Sequence, residues 1–418
     1  MGAPDWGQMT RIFGRIGILS FGGPAAQIAV MHRELVEDRP WLTEDQYLRA
    51  LSFCMLLPGP EAMQLATYAG WRLRGVPGGV LAGALFVLPG ALVMLALAAL
   101  YATYGALPLF QALFLGIKAT VVIIVIEALL KVARRALHGP DRWAIAGLSF
   151  VGIFALGVPF PLLIGLAALY GYLTTAPGST ATAPAPAAKP RLMRTVLIWG
   201  ALWLAPVAAL TILAPGILPQ LALFFSKLAV VTFGGAYAVL AYMTQEVVTI
   251  RGWLSTPEMM DALGLAETTP GPLILVTEFV GFLAGFKAGG LWLGTLAALV
   301  TLWVTFMPCF LWIFAGAPFI DRLATLPRLS GALNCVTAAV VGVILNLSIW
   351  FALHVFFTQV TTWRAGPLRL ALPDPQTIEP LTLALAAVAA GLLLWRRWPL
   401  LPVLALMAVA GLLGGVLS

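Results

Sequence analysis

Two Pro-Gly-Pro motifs interrupt apolar segments of the sequence and could form a binding site for an anion. They are Pro58-Gly59-Pro60 and Pro270-Gly271-Pro272. Because proline lacks an amide donor and clashes with the preceding helical turn, the segments 50–71 and 262–284 must break there. The half-helix that starts after each break would direct free amides and a positive dipole end into a cavity. Each motif could instead be a simple kink, or the tip of a re-entrant hairpin that keeps the amide-lined site.

A hydroxyl residue followed by glycines interrupts the first apolar segment of each half. These second-rank candidates for substrate binding are Ser20, Gly22, Gly23, Thr232, Gly234 and Gly235. Glycine pairs allow a kink or a close approach of two helices, and a hydroxyl at a break can contact a ligand. Tight helix packing and ligand contact both remain open as interpretations.

Six ionisable side chains fall within apolar segments, where a charge usually faces a pathway or a partner. They are Glu61, Lys118, Glu127, Lys227, Glu267 and Glu278. Lys118 is the candidate for binding an anion, and the alternative is a structural ion pair with a glutamate. Glu61 follows the first Pro-Gly-Pro motif and either complements a helix start or, as Glu267 could, carries a coupling proton.

The sequence lacks the motifs of a metal, cofactor or nucleic-acid site. Its three histidines are scattered, its three cysteines have no metal-ligand spacing, and no GxxxxGK[ST] motif is present. The net charge of +7 comes from short basic clusters between apolar segments, as the orientation of membrane helices requires. We therefore predict no cofactor, no metal and no nucleic-acid partner.

The elements that must position these residues are membrane helices. Of 418 residues, 61% are hydrophobic and 10% are charged, whereas soluble domains have about 25% charged residues. Apolar runs long enough to cross a bilayer recur along the chain, and we count about 13 transmembrane segments. We predict an all-α polytopic membrane protein that interacts with lipids and has discontinuous helices at the Pro-Gly-Pro motifs.

The chain contains an internal duplication with an offset of 212 residues. Sixteen of the forty positions in 21–60 are identical to those in 233–272, where unrelated apolar sequences would match at roughly a tenth of positions. We predict an N-terminal repeat at 1–173, a Pro/Ala/Thr-rich linker at 174–194, an extra transmembrane helix at 195–213 and a C-terminal repeat at 214–418. Each repeat has six segments.

The distribution of basic residues predicts the orientation of the repeats. With the N-terminus in the cytoplasm, sixteen Lys and Arg residues fall in inside loops and six in outside loops. Seven crossings then separate the starts of the two repeats, so that the second repeat is inverted and the C-terminus lies outside. Inverted repeats with paired interrupted helices are typical of secondary transporters, whose substrate sites lie near the membrane midplane.

The polar stretch before each Pro-Gly-Pro motif predicts a helix start. The stretches Thr43-Glu44-Asp45-Gln46 and Ser255-Thr256-Pro257-Glu258 resemble capping boxes. The residues just before them, Arg39 and Trp41 in the first half and Arg251 and Trp253 in the second, are interpreted as anchors at the membrane interface.

Together these motifs resemble the chromate ion transporter family. The resemblance rests on FGGP, HRELVEDRPWLTEDQYL, LLPGPEAMQLATYAGWRLRG and FVLPG in the first half, and on FGG and WLSTPEMMDALGLAETTPGP in the second. It implies thirteen segments in opposed halves and efflux of chromate from the bacterial cytoplasm, with sulfate as a related anion. The family motifs fall at Gly22, Gly23, Pro24, Arg39, Trp41, Pro58, Gly59, Pro60, Glu61, Pro89 and Gly90.

The second repeat departs from the first at two motif positions. Ala236 replaces Pro24, and Leu273 replaces Glu61. The two repeats therefore cannot perform identical roles, and we expect an asymmetric site.

The repeats and interrupted helices fit a secondary transporter for an anion, and the family resemblance implies that it exports chromate across the bacterial inner membrane. An inside-negative potential favours exit of a dianion, and protons are a candidate coupling ion. A homodimer is a candidate assembly. The alternatives are a passive channel for the same anion and an intramembrane enzyme, for which the sequence provides no assembled nucleophile or metal ligands.

Overall fold

The computed structural model describes residues 4–105, 107–176, 192–233, 235–320, 326–366 and 368–417. In the first half the helices are α1 (Trp6–Leu19), α2 (Gly23–His32), α3 (Glu44–Leu56), α4 (Glu61–Tyr104), α5 (Pro108–Ala136), α6 (Pro140–Phe154) and α7 (Phe160–Thr174). In the second half they are α8 (Leu192–Leu213), α9 (Ile217–Val231), α10 (Ala236–Thr244), α11 (Thr256–Thr268), α12 (Val276–Gly316), α13 (Pro327–Phe356), α14 (Pro380–Ala390) and α15 (Leu400–Leu417).

Two sequence predictions fall outside the described residues. They are the candidate site residue Gly234 and most of the predicted linker.

Polar caps begin the helices that lead toward the Pro-Gly-Pro motifs. At α3 the Thr43 hydroxyl accepts from the Gln46 amide while the Gln46 side chain accepts from the Thr43 amide. Before α11, the carboxylate of Glu258 accepts from the Ser255 amide at 2.7 Å. Both predicted helix starts are confirmed, because these bonds satisfy amides that have no partner within the first helical turn.

The all-helical expectation missed a small β-hairpin. Strands β1 (Val360–Ala365) and β2 (Leu368–Pro373) pair antiparallel, with Val360 opposite Pro373 and Ala365 opposite Leu368. The strand residues Val360, Thr361 and Thr362 are β-branched, a residue class that favours extended backbone.

Five helical segments of the described chain are long and apolar enough to cross a membrane. They are Glu61–Tyr104, Pro108–Ala136, Leu192–Leu213, Leu273–Phe319 and Pro327–Phe356. Shorter apolar helices occur at Phe160–Thr174, Ile217–Val231, Pro380–Trp395 and Leu400–Gly415. The protein is therefore a helical membrane protein, as predicted.

The chain folds into two compact units, each built from both halves of the sequence. The first comprises Met1–Ala99, Pro177–Ala236 and Thr269–Ser330, and the second comprises Leu100–Ala176, Tyr237–Thr268 and Gly331–Ser418. The first unit contains both Pro-Gly-Pro motifs.

Within the first unit, the long segments α4 and α12 are helical hairpins. Non-helical torsion angles interrupt α4 at Arg74 and Gly75 and α12 at Gly289 and Gly290. The two arms of α4 pack so closely that a Cβ on Gly70 would overlap the carbonyl of Gly78. A straight helix of 44 residues would be about 66 Å long, so the turn at Gly75 keeps both arms within one membrane thickness.

The second unit is built around α5. This helix packs against α11, α14 and α15. Gly116 of α5 lies against the backbone of Met407 in α15, where a Cβ would overlap the Met407 carbonyl. Small residues at helix contacts are typical of membrane proteins, because they let two backbones approach closely.

Candidate functional site

The helices break at both Pro-Gly-Pro motifs, as predicted. Helix α3 ends at Leu56 and α4 begins at Glu61. In the second half, α11 ends at Thr268, and a 3₁₀ turn (Leu273–Leu275) leads directly into α12. Neither break is a mild kink, because about four residues at each motif lie outside any helix.

The glycine turns break the first segment of each half. Helix α1 ends before Ser20, and α2 begins at Gly23 after Gly22 has adopted a left-handed conformation with φ of 81°. In the second half, α9 ends at Val231 and α10 begins at Ala236. We call the two turns, at 20–22 and 232–235, the FGG turns.

The hydroxyls of the FGG turns bond to their own helices. Ser20 Oγ donates to the Ile16 carbonyl at 2.6 Å, and Thr232 Oγ1 donates to the Leu228 carbonyl at 2.5 Å. Each hydroxyl proton therefore satisfies a carbonyl at the end of a helix. In this conformation neither hydroxyl can donate a hydrogen bond to an anion.

Each FGG turn binds the Pro-Gly-Pro motif of the other half. The Gly59 amide donates to the Thr232 carbonyl at 2.9 Å, and the Gly271 amide donates to the Ser20 carbonyl at 2.8 Å. The 212-residue offset makes these two bonds equivalent, so they are related by an approximate two-fold exchange of the halves. Because the amides of both motif glycines are engaged, the amides that remain for a ligand are those after the second proline.

A cavity lies where the breaks meet, within the first unit. In this conformation its volume is about 10 Å³, roughly the space of one water molecule. Its lining is Pro24, Gln27, Gly59, Pro60, Glu61, Ala62, Thr232, Ala236, Pro272, Leu273 and Ile274. Among the sequence-predicted residues, Gly59, Pro60, Glu61, Thr232 and Pro272 therefore line this cavity. We call it the central cavity.

The starts of four helical segments contribute to the lining of the central cavity. Pro24 lies in the first turn of α2, Glu61 begins α4, Ala236 begins α10, and Leu273 begins the 3₁₀ turn before α12. The positive end of a helix dipole carries roughly half an elementary charge. Apart from Glu61, the lining residues carry no ionisable side chain, so backbone dipoles are the source of positive charge that the lining offers an anion.

Two buried glutamines hold the Pro-Gly-Pro loops. Gln27 donates from Nε2 to the Gly271 carbonyl at 2.7 Å and is 1% exposed. Gln64 donates from Nε2 to the Pro58 carbonyl at 2.7 Å and is completely buried. These bonds fix the direction of the loop carbonyls, which have no helical partner.

Helices α1 and α2 fold back on each other at the first FGG turn. Arg15 of α1 pairs with Glu34 at 3.3 Å, and Arg39 pairs with the same carboxylate at 2.6 Å. Arg15 lies about 7 Å from the turn along its helix axis and Glu34 lies about 16 Å from it. Two collinear helices would hold these residues too far apart for an ion pair.

Helix α3 and the first arm of α4 also return to the side on which α1 begins. His32 Nε2 is 2.7 Å from Glu44 Oε2 at the start of α3. At the far end of the first α4 arm, Arg74 donates to the Pro4 carbonyl at 2.6 Å and stacks over the Trp6 ring. The first Pro-Gly-Pro motif is therefore the tip of a helical hairpin.

Lys118 lies in the second unit, in an ion pair. Its Nζ is 2.9 Å from Asp261 Oδ1, and Tyr101 donates its hydroxyl to Asp261 Oδ2 at 2.7 Å. The sequence interpretation allowed a structural ion pair but named a glutamate as the partner, which is wrong. Asp261 lies one residue before the apolar run 262–284, so the composition of that run gives no signal for this partner.

The other ionisable residues of the apolar segments have different environments. Glu127 pairs with Lys131 at 2.6 Å. Glu267 is buried and accepts from the Tyr237 hydroxyl at 3.0 Å. Glu278 is buried in α12, and its Oε2 has no hydrogen-bond partner among the described residues.

We expect the Lys118–Asp261 pair to contribute strongly to stability. Lys118→Gln or Asp261→Asn alone leaves one buried charge without its partner, which costs about 3 kcal/mol. The double variant removes both charges and should recover most of the loss. Thermal unfolding of the three purified variants in detergent measures this, and a double variant as unstable as the sum of the single variants would contradict the pairing.

Several residues of the central cavity have weak signals in the sequence, or none. Gln27 was missed although it is the single amide side chain in the apolar run from Gly23 to Met31, which is a readable signal. Ala62, Leu273 and Ile274 contribute through the backbone at a helix start, and their side chains give no chemical signal. Pro24, a residue of the family motif, lines the central cavity.

Comparison with known proteins matches most of the chain to the family that its motifs resemble. The family model described as "Chromate transporter" matches residues 7–172 and 219–414. A probable chromate transport protein of Synechococcus elongatus is 32% identical over 93% of this chain and 96% of its own length. Chromate transport proteins of Cupriavidus metallidurans and Pseudomonas aeruginosa are 30% and 32% identical, covering 91% and 97% of this chain and 91% of each relative. No solved structure gives a significant match.

These relatives are transport proteins, which confirms the expectation of a transporter rather than an enzyme. The family match covers both halves, including both Pro-Gly-Pro motifs and both FGG turns. The chain therefore belongs to the chromate transporter family.

Proposed function

We propose that this protein is a secondary transporter that exports chromate from the cytoplasm and binds it in the central cavity. The observation that carries the proposal is the convergence of four helical starts on one cavity whose only ionisable lining residue is Glu61. Backbone amides and dipole ends stabilise an anion without a cation that would have to be desolvated when the site is empty. The relatives named as chromate transport proteins supply the identity of the anion.

The proposed driving force follows from the charge of chromate. Moving one elementary charge through the membrane potential changes its free energy by about 2.3 kcal/mol per 100 mV, so a dianion gains about twice that on leaving an inside-negative cell. Protons are proposed as a coupling ion. Sulfate has the same tetrahedral shape and charge, so we propose it as a competing substrate.

The reciprocal bonds between the halves support an inverted arrangement of the repeats. When each half is superposed on the other, the hydrogen bond from Gly59 to Thr232 coincides with the hydrogen bond from Gly271 to Ser20. A pseudo-two-fold axis through the central cavity accounts for this, and such an axis in the membrane plane relates inverted repeats. We propose re-entrant hairpins at the Pro-Gly-Pro motifs, entering from opposite sides, which lowers the number of full crossings below the 13 segments counted from the sequence, with the N-terminus in the cytoplasm.

Lys118 is proposed to have a structural role first. Its partner Asp261 already neutralises it, so any contribution to anion binding requires that the pair opens.

The FGG glycines are proposed to shape the cavity through their backbone. The N-terminal and C-terminal repeats are proposed to form one transporter, and we propose a bacterial inner-membrane location with a homodimer as the assembly to test.

Labelled chromate uptake into inside-out membrane vesicles tests the proposal. A carrier that exports chromate should give saturable accumulation in the lumen, stimulated by a lumen-positive potential and by unlabelled chromate already inside. Uptake that rises linearly with concentration without saturation would indicate a channel. Uptake confined to right-side-out vesicles would contradict the direction.

A further inference from the structure

Glu278 is a buried carboxyl group that the proposed site does not use. It lies in the first turn of α12 and is 1% exposed. Its Oε2 has no hydrogen-bond partner, and no ion pair joins it to another described residue. An ionised carboxylate in such surroundings is unfavourable unless a proton or a counter-charge accompanies it.

No charged residue on the helices around α12 neutralises Glu278. Helices α8 and α9 pack against α12, and α4 contacts it where Gly79 lies against Phe314. The ionisable residues on these helices are Arg194 on α8, Lys227 on α9, and Glu61, Arg72 and Arg74 on α4. None of them forms a hydrogen bond with Glu278 Oε2. Among the described residues, Glu278 Oε2 therefore has no hydrogen-bond donor that would fix its charge.

Glu278 lies one helical turn behind the lining of the central cavity. Ile274 lines the cavity, and Glu278 follows it by four residues, about 6 Å along the helix axis. Side chains of a helix lean toward its N-terminus. The N-terminus of α12 begins at the cavity, so the Glu278 side chain leans toward the cavity end of its helix.

We propose that Glu278 is the proton-binding group that links protonation to occupancy of the central cavity by the oxyanion. The inference rests on the proposed function. A dianion in the cavity would repel an ionised Glu278 but not a protonated one. By reciprocity, protonation of Glu278 strengthens anion binding and anion binding strengthens protonation.

The sign of the pH effect follows from this linkage. The affinity for chromate is highest at low pH, where Glu278 is protonated, and it falls as the pH rises and Glu278 loses its proton. For one linked proton, the apparent affinity falls by about tenfold per pH unit beyond that point. Replacing Glu278 with a residue that does not titrate should remove the dependence of the chromate affinity on pH.

The test compares chromate flux by the wild-type protein and Glu278→Gln in proteoliposomes over a range of pH around neutrality. We expect the wild-type apparent KM to rise with pH and that of Glu278→Gln to stay low and nearly constant. Protonation of chromate itself affects both proteins equally, so the difference between the two curves reports the glutamate. Glu379→Gln, a glutamate in the turn before α14, is the matched control and should follow the wild type.

Three outcomes would overturn the inference. Parallel curves for wild type and Glu278→Gln would do so, as would a loss of the pH slope in Glu61→Gln instead. Absence of chromate flux by folded wild-type protein would contradict the proposed function on which the inference rests. Should Glu278→Gln fail to fold, proton uptake on adding chromate to the wild-type protein in weak buffer provides the test, since no proton uptake at any pH would exclude the linkage.

Discussion

Gly271→Ala is expected to reduce chromate transport by roughly a hundredfold or more, because small displacements at a binding site have effects of that size. Gly271 has φ of 85°, and a Cβ there would lie 3.1 Å from Leu275 Cδ1 and 3.5 Å from the Gly90 Cα. The strained residue must shift. A shift breaks two hydrogen bonds, the one that the Gly271 amide donates to the Ser20 carbonyl and the one that the Gly271 carbonyl accepts from Gln27. Initial rates of chromate uptake, normalised to folded protein, measure the effect.

Gly290→Ala is the matched control for this prediction. Gly290 has a similar φ of 75°, but a Cβ there meets no atom within 4 Å because the residue lies in the turn of the α12 hairpin. We expect a comparable cost in stability from the strained backbone, about 1 to 2 kcal/mol, with transport within roughly twofold of wild type. Equal loss of transport in both variants would show that backbone strain, rather than the loop at Gly271, determines the result.

Gln27→Leu is expected to weaken the apparent affinity for chromate by about tenfold to a hundredfold. The change leaves the buried Gly271 carbonyl without its donor, at a cost of about 1 to 3 kcal/mol. It also removes the only neutral amide side chain that lines the central cavity among the described residues. Concentration dependence of uptake measures the change, which should appear mainly in KM because the loop that positions the anion is loosened.

The control for Gln27→Leu is Gln111→Leu, at an exposed position at the start of α5. It makes the same chemical change outside the central cavity and should leave KM unchanged. A Gln27→Leu variant with wild-type KM and kcat would show that the Gly271 carbonyl needs no donor and that this side of the cavity does not contact the anion.

The helix breaks could be predicted from the sequence because their causes are local. Two prolines separated by a single glycine, at 58 and 60 and at 270 and 272, remove two nearby amide donors and disfavour a continuous helix, whereas the single prolines Pro89 and Pro308 remain inside helices. The capping boxes at Thr43 and Ser255 depend on residues three positions apart. The duplication predicted that the breaks come in pairs. These local facts were sufficient to locate the candidate site.

The partners of these breaks could not be predicted because they are distant in sequence. Gln27 and Gly271 are 244 residues apart, and nothing near either residue specifies the other. Lys118 was a candidate anion ligand because it is a cation within an apolar segment, and its partner Asp261 could not be predicted because it lies in the other half of the chain. The β-hairpin could not be predicted from the apolar segments, because its two six-residue strands lie between them and are too short to cross a bilayer.

The two repeats differ in the side chains that they place at equivalent positions of the site. Leu273 occupies the position equivalent to Glu61, so only one of the two motif helices begins with an acidic residue at the cavity. Val239 occupies the position equivalent to Gln27. The duplicated backbone therefore provides equivalent helix starts, while the side chains that could distinguish substrates or protons differ between the repeats.

The most direct test of the account is to locate bound chromate by anomalous X-ray scattering at the chromium absorption edge, in crystals grown with chromate. The account predicts a peak in the central cavity, next to the amides that follow Pro60 and Pro272. Competition by sulfate should reduce that peak. A peak beside Lys118 and Asp261, or elsewhere with the central cavity empty, would contradict the assignment of the cavity as the anion site.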